Sequence, residues 1–163
     1  MRKSSSPRDP DSFKAAYFRA LRWLTARELS EAQVRARLAQ RGYSPSAIDP
    51  AVERLLNDRT LDDRRAAAAV ARTEGRVRRH GPRRVLGKLL AMQFDRDLAR
   101  DVVRELFADE HERGLLETAL DRRVRGNLQK LRDPAERRKL IAYLVRQGFS
   151  AGDAAAAIRR RVQ

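Results

Sequence analysis

A stretch of 23 residues occurs three times in this chain of 163 residues, and it constrains the fold more than any other feature. The copies begin at Val34, Val85 and Leu140, so successive copies start 51 and 55 residues apart. Apolar residues recur at five shared positions: Val34, Leu38, Tyr43, Val52 and Leu56; Val85, Leu89, Phe94, Val103 and Phe107; Leu140, Leu144, Phe149, Ile158 and Val162. A repeat of this period predicts similar units that stack to bury a core, rather than one globule around one site.

Apolar residues at helical spacing run through almost the whole chain, and no segment convincingly predicts a strand. The first helix is expected at about 11–28. Ser30 and Gln33 form a predicted capping box, and an aromatic followed by a capping residue recurs as Tyr43-Ser44, Phe94-Asp95 and Phe149-Ser150. The sequence therefore predicts an all-α fold of three three-helix modules, at residues 12–57, 61–107 and 109–162, after a flexible tail at 1–11.

Positive charge is the second strong feature. The net charge is +15, and residues 72–88 hold seven Arg or Lys against one Glu. If 61–79 forms one α-helix, four of its arginines lie within about 60° of one another: Arg65, Arg72, Arg76 and Arg79. A neighbouring face is then expected to pack against the rest of the module: Ala66, Ala69, Val70, Thr73 and Val77. Arg64, Arg83, Arg84 and Lys88 extend this positive surface. Like charges so placed repel, so we expect a polyanion or an acidic protein surface as the partner rather than a merely solvated face.

Other basic residues and the single tryptophan leave two interpretations open. A second cluster includes Arg122, Arg123 and Arg125, after a lead helix expected at 109–131, and a third lies at Arg159–Arg161. Both are compatible either with binding or with ordinary solvated charge. Trp23 lies about 100° from the centre of the apolar stripe of the first helix, so it either seals a module boundary or contacts a partner.

The composition excludes several classes of protein. There is no cysteine, hence no disulfide framework and no thiolate metal site. The two histidines, His80 and His111, lack the spacing of a metal or catalytic motif and are predicted to be ordinary surface residues. We therefore expect no enzyme activity, cofactor, metal or small-molecule substrate. No apolar run approaches a membrane span, and the polar N-terminus lacks a signal peptide, so we expect a cytoplasmic protein without membrane contact.

Several motifs resemble the RecX family of bacterial regulators. One is Ala20-Leu21-Arg22 followed by Arg27-Glu28-Leu29-Ser30, where Leu29 replaces the usual His. The most specific is Leu61-Asp62-Asp63-Arg64-Arg65-Ala66, with Ala66 in place of the usual Phe, followed by Gly81-Pro82-Arg83-Arg84-Val85. The family's Lys-Gly turn is Met92-Gln93 here.

This resemblance implies three tandem three-helix modules in an elongated, curved arrangement. It also implies a partner, the RecA recombinase filament on single-stranded DNA, and roles in recombination, repair and the SOS response. Family members generally inhibit RecA ATPase, co-protease and strand-exchange activities by limiting filament growth or promoting its disassembly. The middle module is expected to make the main contact, and binding to single-stranded DNA alone is expected to be weak and independent of sequence.

Two alternatives remain open at the level of sequence. Helix two, the Gly42 turn and helix three imitate a helix-turn-helix, which predicts a stand-alone nucleic-acid-binding protein that needs no RecA. The other alternative is a purely structural adaptor, in which the positive charge results from a coding bias and has no role in binding.

Overall fold

The computed structural model describes residues 9–127 and 129–162, apart from the side chains of residues 109–111. Within these ranges the secondary structure is helical, without a strand, which confirms the predicted all-α fold. The helices are α1 (Phe13–Leu24), α2 (Glu31–Gln40), α3 (Pro45–Asn57), α4 (Asp63–Arg72), a π-helical segment (Thr73–Val77), α5 (Pro82–Ala91), α6 (Arg96–Leu106), α7 (Asp109–Val124), α8 (Gln129–Arg132), α9 (Pro134–Arg146) and α10 (Ala151–Arg160).

Side-chain caps fix most of the helix starts where the sequence predicts them. The Ser30 hydroxyl accepts from Gln33 N–H, and the Gln33 side chain accepts from Ser30 N–H, which confirms the capping box of α2. Asp95 accepts from the backbone N–H groups of Asp97 and Leu98 at 2.9 Å each, and so caps α6. The prediction for Ser44 is wrong in one respect. Ser44 precedes α3, but its hydroxyl donates to the Pro10 carbonyl instead of capping the helix.

Tertiary contacts divide the chain into two compact units. The first comprises Met1–Val70 and Leu90–Leu98, and the second comprises Ala71–Leu89 and Ala99–Gln163. The middle predicted module therefore contributes residues to both units. The module boundaries themselves stay a prediction, and residues 1–8 of the predicted tail lie outside the described residues.

Each unit has its own apolar core, and the repeated positions supply much of both. Of the fifteen repeated apolar residues, all but two are buried. Leu56 and Val162 are 38% and 37% exposed, because Leu55 takes the inward position on α3 and α10 ends before Val162. Trp23 is half-buried and packs against the core of the first unit.

The turns inside the repeats also make hydrogen bonds to other parts of their own unit. In the first unit, Ser30 Oγ donates to the Met92 carbonyl at 2.7 Å. In the second unit, Gly81 N–H donates to the Gln147 carbonyl at 2.7 Å and Arg83 N–H donates to the Gly148 carbonyl at 3.2 Å. The turn that follows the first helix of the repeat is thus a docking element in the second and third copies.

Candidate partner interface

The segment that carries most of the predicted basic residues is not one continuous α-helix. Helix α4 ends at Arg72, and the π-helical segment begins at Thr73 and is closed by a bond from Arg78 N–H to the Thr73 carbonyl at 3.1 Å. Arg79 then adopts a left-handed conformation with φ of 60°. The predicted single helix over 61–79 is therefore wrong, and the 100° step that aligned Arg76 and Arg79 with Arg72 does not apply beyond Arg72.

The π-helical turn changes which residues face the core. Glu74 and Gly75 are buried, whereas Val77 is 74% exposed and Thr73 is exposed, so the packed face predicted at Thr73 and Val77 is wrong. Gly75 permits a close approach, since a Cβ there would lie 3.0 Å from Leu106 Cδ2. Both buried residues lie within the π-helical segment, where the α-helical spacing that placed Thr73 and Val77 on the packed face no longer applies.

Glu74 is a buried carboxylate that the sequence did not single out. It is 5% exposed, and its carboxylate lies 2.8 Å from His80 Nδ1 and accepts from Arg78 at 3.0 Å. His80 N–H also donates to the Glu74 carbonyl at 3.0 Å. The prediction that His80 is an ordinary surface residue is wrong, because its side chain is only 12% exposed and pairs with Glu74. The prediction for the His111 side chain lies outside the described residues.

Six cations around this segment form what we call the basic cluster. Arg79 is half-buried and the others are exposed, and none forms a salt bridge with a carboxylate within the parts of the chain that the structure describes. The members are Arg72, Arg76, Arg79, Arg83, Arg84 and Lys88. Unpaired exposed cations keep their full field for an external anion.

Arg84 has a structural contact as well as a position in the basic cluster. Its guanidinium donates to the Arg146 carbonyl at 3.2 Å, beside the two backbone bonds that join the start of α5 to the turn after α9. This contact places Arg146, an exposed residue that the sequence did not indicate, beside the basic cluster. Lys88 follows Arg84 by four residues on α5, so both lie on one face of that helix.

Arg64 and Arg65 belong to the first unit and are both exposed. The Arg65 guanidinium donates to the carbonyls of Arg59 and Thr60 at 2.9 and 3.0 Å, so it satisfies acceptors in the loop after α3. Arg65 is thus already engaged in a local structural role, unlike the members of the basic cluster that have no such bond.

The two other predicted basic clusters differ in how their charges are used. Arg122, Arg123 and Arg125 are exposed at the end of α7, and the Arg123 guanidinium carbon lies 5.3 Å from the centroid of the Tyr143 ring. Helix α7 ends at Val124, before left-handed Arg125 and Gly126, so the lead helix predicted at 109–131 is interrupted. Arg160 and Arg161 form salt bridges with Glu117, which neutralises much of the charge at the end of the chain.

The motifs that carry the family resemblance mainly connect segments of the fold, by hydrogen bonds and by close packing. Asp62 accepts from Arg65 N–H at 2.9 Å and caps α4, whereas Asp63 accepts from Glu31 N–H at 2.7 Å at the start of α2. Burial raises the pKa of Asp63. Gly81 meets Gly148 so closely that a Cβ on Gly81 would lie 2.6 Å from the Gly148 carbonyl carbon.

Comparison with known proteins identifies the family. A family model described as the first three-helix domain of RecX matches residues 16–55. The regulatory protein RecX of Ralstonia nicotianae is 31% identical over 144 residues, which are 88% of this chain and 84% of that protein. The chain belongs to the RecX family. The regulatory protein RecX of Xanthomonas campestris pv. campestris is 34% identical over 131 residues, which are 80% of this chain and 78% of that protein.

Solved RecX structures share the fold. The crystal structure of RecX from Lactobacillus salivarius superposes with a TM-score of 0.80 at 18% identity, covering 92% of this chain and 96% of that chain. The relatives are named regulatory proteins, so the RecX family is a regulatory family and not an enzyme family. Among the described residues of this RecX-family chain, no group of His, Asp or Glu side chains is arranged to hold a metal ion. None of the described helices is both long and apolar enough to span a bilayer.

Proposed function

We propose that this RecX-family chain binds the RecA filament on single-stranded DNA and lowers its ATPase, co-protease and strand-exchange activities. In this proposal the basic cluster contacts the filament, either on acidic protein surface or on DNA in the groove. Occupation of the groove hinders the entry of duplex DNA and the subunit movements that accompany ATP turnover, or limits filament growth.

The observation that carries this proposal is the basic cluster. Its six cations lie within 17 residues of sequence and none has a carboxylate partner among the described residues, in contrast to Arg160 and Arg161. Arg122, Arg123 and Arg125 add exposed charge from another helix of the same unit. Contacts from several helices to several subunits of a filament raise the apparent affinity through effective concentration, without any single strong site.

RecA-dependent ATP hydrolysis on single-stranded DNA, measured while this protein is titrated, tests the proposal. The wild-type chain is expected to lower turnover to a plateau. A variant with Arg72→Ala, Arg76→Ala, Arg83→Ala and Lys88→Ala, called the cluster variant, removes four exposed charges and spares Arg79 and the structural contact of Arg84. A few tenths of a kcal/mol at each contact sums to about 1.4 kcal/mol, so its half-inhibitory concentration should rise about tenfold.

A matched control separates local contact from total charge. Arg54, Arg104, Lys139 and Arg160 are exposed, and each forms a salt bridge with a carboxylate. Replacing these four by Ala also removes four positive charges, at little cost to stability because exposed ion pairs contribute little. The control should inhibit as the wild type does. Unchanged ATP turnover with saturating wild-type protein, or equal loss in both variants, would contradict the proposal.

A stand-alone nucleic-acid-binding protein predicts a different outcome. It would bind bare duplex tightly and with sequence selectivity, whereas our proposal expects weak binding without RecA, independent of sequence and sensitive to salt. Fluorescence anisotropy with two duplexes of unrelated sequence, at two salt concentrations and without RecA, distinguishes the two.

A further inference from the structure

Helix α1 presents a partly exposed face beside the side that it buries, and Ala15 and Trp23 at the margin of this face also pack against the core. Ala16 and Ala20 are fully buried on one side of the helix, and Phe18 and Arg22 are exposed on the side away from them. Ala15, Arg19 and Trp23 lie between these two sides and are half-buried. Together with Tyr43 from the turn before α3, this face lines an open concavity of about 410 Å³. The lining residues are Ala15, Phe18, Arg19, Arg22, Trp23 and Tyr43. A volume of this size is within the range of small-molecule sites and accommodates a nucleotide.

The chemistry of this concavity combines flat aromatic surface with positive charge. Phe18 is 59% exposed, which is unusual for a large apolar side chain, and half-buried Trp23 lines the same concavity. Arg22 is exposed and has no ion-pair partner in the described part of the chain. No carboxylate is among the lining residues, so nothing there neutralises the two guanidinium groups.

Arg19 and Tyr43 form the ordered wall of the concavity. Arg19 Nε donates to the Tyr43 hydroxyl at 3.0 Å, and the Arg19 guanidinium carbon lies 5.9 Å from the centroid of the Tyr43 ring. Tyr43 is itself only 5% exposed, so it holds Arg19 in place from a buried position. A guanidinium fixed in this way loses less freedom when it binds a phosphate than one on a free side chain.

Positive charge continues beyond the concavity. Arg27 follows Trp23 by four residues, and its backbone N–H donates to the Trp23 carbonyl. Burial, and then repulsion from Arg27, lower the pKa of Arg37 on α2. A polyanion bound in the concavity would therefore also feel the positive charge of Arg27 and Arg37.

We propose that this concavity, the α1 concavity, binds single-stranded nucleic acid, with bases stacked against Phe18 and Trp23 and the adjacent phosphates bound by Arg19 and Arg22. Proteins that bind single strands without sequence preference combine aromatic side chains with a positively charged groove in this way. Duplex DNA does not offer its base faces, because they are stacked within the helix, and a carboxylate peptide without aromatic residues has no flat face for Phe18. This site is formed by residues of the first unit, shares no residue with the basic cluster, and needs no RecA.

Trp23 is the only tryptophan of the chain, so its fluorescence reports on the α1 concavity directly. The full chain is titrated with oligothymidylate at low salt. Stacking of a base should quench the emission, and inorganic polyphosphate, which has charge but no bases, should not. Phe18→Ala should raise the dissociation constant for oligothymidylate about fivefold or more, since a stacked base contributes at least about that factor. Arg22→Ala should weaken binding and reduce the slope of log K against log salt by about 0.7.

Phe13→Ala is the matched control, because Phe13 is an exposed aromatic on the same helix that does not line the concavity. It should bind oligothymidylate as the wild type does, and circular dichroism should show both variants folded. The cluster variant should retain the quenching, so that loss of RecA inhibition and loss of this site are separately visible. Absence of quenching, equal effects of Phe18→Ala and Phe13→Ala, or stronger quenching by polyglutamate than by oligothymidylate would each overturn the proposal.

Discussion

Gly148→Ala is expected to be among the most damaging single substitutions in the second unit. Gly148 has φ of +100°, which L side chains rarely adopt. A Cβ there would lie 2.6 Å from both Cβ and N of Arg84 and 2.9 Å from the Gly81 carbonyl oxygen. Because two of these three atoms belong to the backbone at the start of α5, a change of side-chain rotamer cannot relieve the overlap.

The expected loss follows from the contacts that must open. The positive φ costs a residue with a Cβ about 1–2 kcal/mol. Moving the turn away from α5 breaks the bonds from Gly81 N–H to Gln147 and from Arg83 N–H to Gly148, at about 1 kcal/mol each. We therefore expect the free energy of unfolding to fall by about 3–4 kcal/mol, and the melting temperature by roughly 10 °C for a chain of this length.

Urea denaturation and thermal melting, both followed by far-ultraviolet circular dichroism, measure this change. Gly87→Ala is the matched control, since no atom lies within 4 Å of a Cβ at Gly87 and the residue is inside α5. That substitution should stabilise the chain by about 0.5–1 kcal/mol. Hydrogen exchange at the Gly81 and Arg83 amides should accelerate in Gly148→Ala. A loss below about 1 kcal/mol, or unchanged protection of these amides, would refute the reasoning.

Three further substitutions test other features of the same fold. Gln93 has φ of 61° at the position where the other copies have glycine. Gln93→Gly should therefore raise the free energy of unfolding, measured in urea, by about 0.5–1 kcal/mol, whereas a decrease would mean that contacts of the Gln93 side chain stabilise the fold by more than the left-handed backbone destabilises it. His80→Ala leaves the buried Glu74 carboxylate without its nearer partner and should lower the free energy of unfolding by about 1–3 kcal/mol. Arg78→Ala should lower it clearly less, because the Arg78 side chain is 60% exposed; similar losses for the two variants in urea titrations would show that the His80–Glu74 pair does not stabilise the fold. Backbone hydrogen bonds, that from Leu98 first, lower the pKa of Asp95, so its contribution to stability is present above the usual value of 3.8 and is lost as the pH falls through its folded-state pKa. Asp95→Asn keeps a cap and should therefore flatten the acid limb of the stability curve below about pH 4, whereas an acid limb identical to that of the wild type would show that Asp95 does not contribute to it.

The local part of the fold was predictable because its causes are local. Ser30 with Gln33, and Asp95 with Leu98, are cap partners three residues apart, so a sequence pattern contains both members of each bond. Burial at Val34, Leu89 or Ile158 follows from helical spacing in the same way. The helix after Leu61 was not predictable to its end, since nothing in the spacing of its arginines distinguishes an α-helical from a π-helical turn.

In the candidate site, contacts between residues far apart in the chain were not predictable from the sequence. Arg160 and Arg161 looked as available as Arg83 and Arg84 in the sequence, but Glu117 lies more than 40 residues away and pairs with both. Glu74 looked like a single acid in a basic run, although it is buried beside His80, and the next residue, Gly75, packs closely against Leu106 and Phe107. Charge pattern therefore indicated where cations cluster, and only the fold determined which of them are unpaired.

The turn inside the repeat makes different contacts in the second and third copies. In the first unit the turn at Met92-Gln93 is reached by the hydroxyl of Ser30, a side chain that leaves space between the two backbones. In the second unit the turn at Gln147-Gly148 bonds directly to the backbone of Gly81 and Arg83, with no side chain between them. A Cβ is therefore tolerated at residue 93, at the cost of a left-handed φ, and is excluded at residue 148. The turn at the same repeat position is thus held through a side chain in the second copy and by direct backbone contact in the third. Exchanging the two turns should therefore destabilise the second unit far more than the first.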